Sequence, residues 1–324
     1  MSEINLVYTR NLWGLAFTTV VLAFVGVTVS NSFYLTTLIF ALIAAISAVG
    51  LTLLFGFTGL ASLGQAAFFG LGAYSAALLV ERMAWPPLAA VAVAVALPAA
   101  AGWLIGRPLL RLSGTYLTMA SLAFGMVMYL VFSQVSSLTG GLDPGFMLNR
   151  PFSLGPWAFD GTREMFWVCS VAVLLTLYVG INLIHSRFGR ALRALKSSEA
   201  AAEGAGVPTV HFKTVIFSIA AGMAGLSGAM YAFFMRSFNA TAFGFPLSIE
   251  LLIIVIVGSL RSIWGALFGA AIITLLPAAL EHFNDYKLFI YGVVMVLIML
   301  FLPDGLFHGV AEGVSKVFGR RGAK

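Results

Sequence analysis

The chain alternates long apolar runs with short polar connections, the runs falling near 12–29, 34–55, 61–80, 88–105, 115–135, 164–185, 212–234, 248–260, 263–280 and 287–302. Most are roughly 17 to 25 residues long, the length of helix that crosses about 30 Å of hydrocarbon at about 1.5 Å per residue. A transmembrane barrel would instead alternate apolar and polar positions over segments of about ten residues, a pattern this chain does not have. The spacing therefore predicts an all-α polytopic membrane protein of about ten transmembrane helices, with residues 1–324 as a single transmembrane domain.

Composition agrees with the pattern. Of 324 residues, 60% are apolar and 9% charged, too few polar groups to clothe a water-soluble globule of this length. The run from Leu12 to Val29 is long, poorly flanked by basic residues and without a small-x-small cleavage site, so it reads as the first span and not as a secretory signal. The single cysteine, Cys169, lies in an apolar run and is expected only to pack. The net charge of +6 gathers between apolar runs and makes no basic face with interleaved aromatics, which argues against a nucleic-acid partner. Arg10, Arg107, Arg111, Arg187, Arg190, Arg193, Lys196, Lys213, Arg261, Lys316, Arg320, Arg321 and Lys324 fall on one side, 13 of the 18 basic residues. The positive-inside rule makes that side cytoplasmic, places both termini there and predicts an even number of spans.

Two connections exceed simple turns. Residues 136–163, on the outer side, carry Thr139-Gly140-Gly141, Asp143-Pro144-Gly145 and Gly155-Pro156, turn signals that deny the segment a long helix and make it a periplasmic cap. Residues 186–211, on the inner side, read as a short helix pair, capped by Ser198 and stopped by Gly206 and Pro208. Residues 303–324 form a short basic tail expected at the inner leaflet. No phosphate-gripping Gly-x-x-x-x-Gly-Lys-Ser/Thr loop occurs and no soluble domain is expected, so any ATP chemistry must come from another polypeptide.

Glycine marks the segments of interest. From Gly50 to Tyr74 it is far too frequent for an ordinary span, and such a run tolerates an unwound backbone where a cavity or protein surrounds it. Ser62, Gln65 and Tyr74 supply polar groups there. A second interruption follows Ser248-Ile-Glu250, at Gly258-Ser-Leu-Arg261-Ser-Ile-Trp264-Gly265, and its loose echo of Ser62 to Gly70 points to an inverted repeat. Gly265 with Gly269, and Gly222, Gly225 and Gly228, have the spacing of close helix packing. Glu250 is the main ionisable residue inside a span, and a place in the first turn of its helix would let the helix dipole stabilise it. His185, His211, His282 and His308 sit near span ends without metal-ligand spacing. Arg187, Arg190 and Arg193 recur every third residue ahead of Glu199 and Glu203, a basic face that can meet lipid phosphates, followed by a smooth alanine-rich knob suited to another protein's groove.

Taken in order, these segments resemble the LivM-type permeases of branched-chain amino acid ABC importers. The likeness rests on Gly56 to Tyr74, on Arg111-Leu-Ser-Gly-Thr115-Tyr116-Leu-Thr with Leu-Ala-Phe-Gly125, and on Thr139-Gly-Gly141. It continues through Ser186-Arg-Phe-Gly-Arg-Ala-Leu-Arg, Ser248-Ile-Glu-Leu, Gly258-Ser-Leu-x-Ser-Ile-Trp-Gly and Pro303-Asp-Gly-Leu. The resemblance implies a bacterial inner-membrane protein paired with a LivH-type second permease, two cytoplasmic ATP-binding subunits and a periplasmic substrate-binding protein. It implies alternating access without covalent chemistry or a cofactor on this chain, ATP being hydrolysed by the partner subunits. Gly59, Ser62, Gly64, Gln65, Tyr74, Thr115 and Tyr116 become candidates for the substrate pathway. Arg187, Arg190, Arg193, Glu199, Glu203 and Gly206 become candidates for ATPase coupling, with either glutamate able to take the docking position. Similar permeases also serve urea, short amides and aromatic acids. An ion-coupled carrier would need membrane-embedded acids or histidines that the spans almost lack, a membrane enzyme would need a motif such as His-Glu-x-x-His that is missing, and a mere scaffold would have no use for interrupted spans.

Overall fold

The computed structural model describes residues 2–280 apart from Ser113 and Pro156, together with 292, 293, 296, 297 and 300, with side chains from residue 11 onward. The expected tenth run at 287–302, the tail at 303–324 with its Pro303-Asp-Gly-Leu, and His282 and His308 lie wholly or largely outside these residues. The described residues are all-α apart from two small ribbons. Its principal helices are α1 (Ser2–Thr28), α2 (Ser32–Leu51, prolonged by a π-helical turn at Thr52–Gly56), α3 (Gln65–Met83), α4 (Pro87–Leu109) and α5 (Thr115–Gln134). After the short α6 (Ser136–Thr139) come α7 (Thr162–His185), α8 (Arg187–Ser197), α9 (Glu199–Gly204), α10 (Thr209–Met235), α11 (Phe245–Gly258) and α12 (Ile263–Ala279).

Local chemistry sets the helix ends. Asn31 caps α2 by accepting from the Phe33 amide at 2.9 Å, Pro87 opens α4, and the Glu164 carboxylate reaches back to the Asp160 and Gly161 amides at 2.8 and 3.3 Å. Six helices among the described residues are long and apolar enough to cross a membrane, namely α1, α2, α4, α5, α7 and α10. Helices α11 and α12, bent by 118° at residues 259–262, make a seventh if taken as one broken span. The expected count of ten is not reached among these residues. The run at 61–80 accounts for part of the difference, because its first residues are unwound and α3 carries Gln65, Glu81 and Arg82.

Helix α10 runs through the middle and packs on α2, α3 and α4. Its glycines make this approach possible: a Cβ on Gly225 would lie 2.2 Å from the Ala94 carbonyl oxygen of α4, and one on Gly228 would lie 1.9 Å from the Phe69 carbonyl oxygen of α3. Helix α2 is buried along most of its length, between α10 on one side and α7 and α12 on the other. Cys169 is buried in α7. The outward faces of α1, α4 and α5 are apolar and exposed, with Trp13, Phe17, Phe24, Leu104, Met119 and Met126 among the bare side chains, as hydrocarbon solvent allows.

The bundle has two distinct ends. At one, α8 and α9 follow the last turn of α7, and the Asn11 amide meets His185 at 2.7 Å. At the other, β1 (Phe146–Met147) pairs antiparallel with β4 (Ser237–Phe238), and β2 (Phe152–Leu154) with β3 (Trp157–Phe159). Residues 136–163 thus form a cap, held to α3 by Arg82 donating to the Ser137 carbonyl at 2.6 Å and by Asn149 donating to Glu81 at 2.9 Å.

Candidate functional site

Between the π turn, with the two helical residues that follow it, and α3, residues 59–64 run unwound inside the bundle. Backbone polar groups freed in this way cost several kcal/mol each in hydrocarbon unless they find partners, and here neighbouring side chains provide them. Ser121 of α5 accepts from the Leu63 amide at 3.0 Å, and Thr118 donates to the Ala61 carbonyl at 3.2 Å. Ser62 accepts from the Gly64 amide at 3.4 Å, and Ser248 of α11 accepts from the Ala66 amide at 3.1 Å. Just ahead of the segment, Lys196 of α8 donates to the Gly56 carbonyl at 2.6 Å. A Cβ on Gly56 would stand 2.2 Å from the Leu260 carbonyl oxygen, so this interruption abuts the one between α11 and α12.

Of the seven pathway candidates, Ser62, Gly64 and Gln65 come together here. Ser62 and Gln65 are buried, the Gln65 Oε1 has no partner among the described residues, and a Cβ on Gly64 would press the Ser121 carbonyl oxygen. Gly59, at φ +75°, is exposed near Lys196, at the rim of the segment. Thr115 and Tyr116 stand apart, exposed at the start of α5, with Tyr116 73% accessible. The contacts expected of them are made by Thr118 and Ser121, one and two turns further along. The i, i+3, i+6 spacing of Thr115, Thr118 and Ser121 in an otherwise apolar helix is the signal that could have found them.

Tyr74 also stands apart, nine residues or about 13 Å along α3 from Gln65. It is buried among Phe132, Phe238 and Phe243, with ring centroids 5.1, 5.3 and 5.3 Å away, and its hydroxyl has no partner among the described residues. With Phe146 stacked on Phe238 above, these rings make an aromatic plug beneath the β1–β4 ribbon.

Beside the plug, a cavity of about 570 Å³ extends between α2, α10, α11 and α12, lined by Thr36, Phe40, Phe69, Tyr231, Glu250 and Thr274 among others. Glu250 is not in the first turn of its helix. α11 starts at Phe245, behind Pro246, which puts the carboxylate in the second turn, with none in the first.

At the other end, α8 and α9 form a folded pair. Ser186 and Ser198 cap them by accepting from the Gly189 and Ala201 amides at 3.4 and 3.3 Å, Leu192 and Leu195 face the bundle, and Phe188 packs on Phe212 at 5.0 Å. Arg187, Arg190 and Arg193 are exposed, Arg193 also donating to the Ile184 carbonyl at 2.8 Å. Neither glutamate points freely outward. Glu199 pairs with the buried Lys213 of α10, and Glu203 accepts from the Thr209 hydroxyl at 2.6 Å. Gly206, at φ +81°, closes α9. What α9 offers outward is small and smooth: Ala200, Ala201, Gly204 and Ala205, beside an open groove of about 640 Å³ bounded by Arg107, Gly206 and His211.

The profile of the family described as "Branched-chain amino acid transport system / permease component" matches residues 33–299. The chain is 29% identical over 287 residues to the high-affinity branched-chain amino acid transport system permease protein LivM of Salmonella typhimurium, covering 82% of this chain and 68% of that protein. It is 24% identical over 282 residues to LivH of Escherichia coli, covering 81% of this chain and 90% of that one. A probable LivH of Methanocaldococcus jannaschii is 25% identical over 288 residues, 83% and 90% of the two chains. No solved structure matches the chain significantly. An all-α, multi-span fold with an interrupted span at its heart and a match over most of its length place this chain in the family of branched-chain amino acid transport permease components, as a LivM-type member.

Proposed function

We propose that this chain forms one half of the membrane passage of an ATP-driven importer of branched-chain amino acids. It works with a LivH-type second permease, two cytoplasmic ATP-binding subunits and a periplasmic substrate-binding protein, in a bacterial inner membrane. Two kinds of relative support the pairing: the chain matches both LivM and LivH, which carry the same transport system in their names. The three exposed arginines of α8 support, by the positive-inside rule, a cytoplasmic helix-pair end and with it a cytoplasmic N-terminus of α1. The cap at 136–163 then faces the binding protein.

One observation carries the mechanism: the hydrogen bond from Lys196 to the Gly56 carbonyl joins the helix pair to the π turn that leads into the unwound segment. The ATPases seat the smooth outer face of α9 in a groove of their own, and closing of their dimer displaces α8 and α9 as a unit. Lys196 transmits that displacement through the π turn to residues 59–64, where Ser62, Gly64 and Gln65 border the passage. Tyr74 belongs to the periplasmic seal, and Thr115 and Tyr116 present an apolar face to lipid or to the second permease. The chain itself performs no covalent step and holds no cofactor. Family membership favours this reading over an ion-coupled carrier.

Proteoliposomes containing both permeases and both ATPases, supplied with the binding protein, should accumulate labelled leucine only when ATP is present. Accumulation by this chain alone, without nucleotide or partners, would overturn the proposal.

A further inference from the structure

The cavity beside the aromatic plug contains a carboxylate that the fold does not use. Ser248 takes the Ala66 amide in the interior of the bundle, and Glu250, two residues on, leaves that face and lines the cavity. Among the described residues no hydrogen bond or ion pair reaches its side chain, the two ion pairs being Lys213–Glu199 and Arg236–Asp160. Glu250 is exposed along the open side of this cavity, where an ionisable group inside a span is costly against hydrocarbon, and the helix-dipole explanation fails because it is past the first turn. The same cavity holds a second unused polar group, the buried hydroxyl of Thr274. Facing them is an aromatic wall in which Tyr231 packs against Phe69 and Phe40, with ring centroids 5.6 and 6.3 Å away. A volume of about 570 Å³ is in the range of small-molecule sites.

We infer that this cavity is a cargo site in which Glu250 takes the cargo's ammonium group, the ring faces of Tyr231 and Phe69 flank the cation, and the Thr274 hydroxyl meets a second polar atom. The inference rests on the transport reading above and sharpens it. A carboxylate and ring faces attract an ammonium group by charge-assisted hydrogen bonding and cation–π attraction, whereas the same carboxylate repels an acid that has no amine. The passage would therefore select for an amino group on its own account, in addition to any choice made by the binding protein.

The test uses the full transporter in lipid nanodiscs. Dicyclohexylcarbodiimide modifies carboxyl groups inside membranes, and mass spectrometry of the peptide containing Glu250 follows its reaction. Leucine and isopentylamine should slow the modification, while 4-methylpentanoate, which lacks the amine, should not. In proteoliposomes, Glu250→Gln should raise the leucine concentration for half-maximal uptake about tenfold or more, the worth of one charge-assisted hydrogen bond, with Glu250→Asp recovering part of the loss. Co-purification of all partners with each variant checks assembly. Wild-type uptake kinetics in Glu250→Gln, or equal protection by the amine and by the acid, would overturn the inference. Protection by isopentylamine in a wild-type complex that takes up no leucine would uphold the ammonium site and count against the cargo assigned above.

Discussion

Lys196, in the last turn of α8, donates its Nζ proton to the carbonyl of Gly56 at 2.6 Å across 140 residues of sequence. The carbonyl it holds is the last of the π turn, two helical residues ahead of the unwound segment. A charge-assisted bond of this kind is worth about 1.5–3 kcal/mol, and no backbone group replaces it. Lys196→Met should keep the stem and remove the donor. We expect the variant to assemble with its partners and to hydrolyse ATP, but to take up about tenfold less leucine per ATP consumed. Simultaneous measurement of labelled uptake and phosphate release checks this, and an unchanged ratio would remove Lys196 from the coupling path.

Ser121 and Ser248 hold two amides of the interrupted span, those of Leu63 and Ala66. Each serine changed to alanine leaves an N–H inside the bundle without this partner, the Ala66 amide fully and the Leu63 amide partly buried, at a cost of about 1–3 kcal/mol. Both single variants should unfold at lower temperature in nanodiscs, and Thr115→Val, which touches neither amide, should not. Thermal melts followed by tryptophan fluorescence would show the contrast.

Gly72 lies across from Gly225, and a Cβ on it would stand 2.2 Å from the Gly225 carbonyl oxygen. Because the obstacle is backbone, no rotamer relieves it, and α3 and α10 would have to separate. Gly72→Ala should abolish accumulation of the protein in membranes. Gly204→Ala, whose added methyl meets nothing within 4 Å, should leave it intact. Immunoblots of membrane fractions distinguish the two.

The Lys213 side chain is 7% exposed and that of Glu199 48%, so the pair is buried on one side only. Replacing Glu199 by Gln leaves the lysine without its counter-charge, a loss placed toward the lower end of about 3–5 kcal/mol because water still reaches the glutamate. Hydrogen exchange in residues 198–207 should quicken in the variant as α9 loosens from α10. Replacing both Glu199 and Glu203 by alanine should loosen it further and uncouple uptake from ATP hydrolysis while membrane insertion persists.

Much of this architecture is legible in the apolar runs, because lipid leaves a backbone few ways to satisfy itself and the helix is the local one. The unwound stretch announces itself through glycine density between Gly50 and Gly72. Its partners do not. Thr115 and Tyr116 stand out as a motif, yet the groups that reach the backbone are Thr118 and Ser121, since side-chain direction depends on helix phase. Lys196 looks like one more interfacial anchor among basic neighbours. Glu199 and Glu203 look like free acids on a knob, because Thr209 and Lys213, which engage them, lie beyond a turn at Gly206 whose geometry a linear reading does not supply. Glu250 is assigned to the wrong turn for a similar reason: a short 3₁₀ segment at Ala240–Phe243 and the Gly244–Pro246 corner set where α11 starts.

The rings around Tyr74 have one more consequence. A barrier of packed aromatics has no carboxylate, amine or imidazole to titrate near neutral pH and no charge for salt to screen, so its tightness should not vary with ionic strength or moderate external acidity. In the proposed passage, protons and sodium driven inward by the membrane potential would meet the same wall as the cargo. Leak through this half of the passage is then a matter of how far the β1–β4 ribbon is lifted, which is a mechanical quantity and not an electrical one.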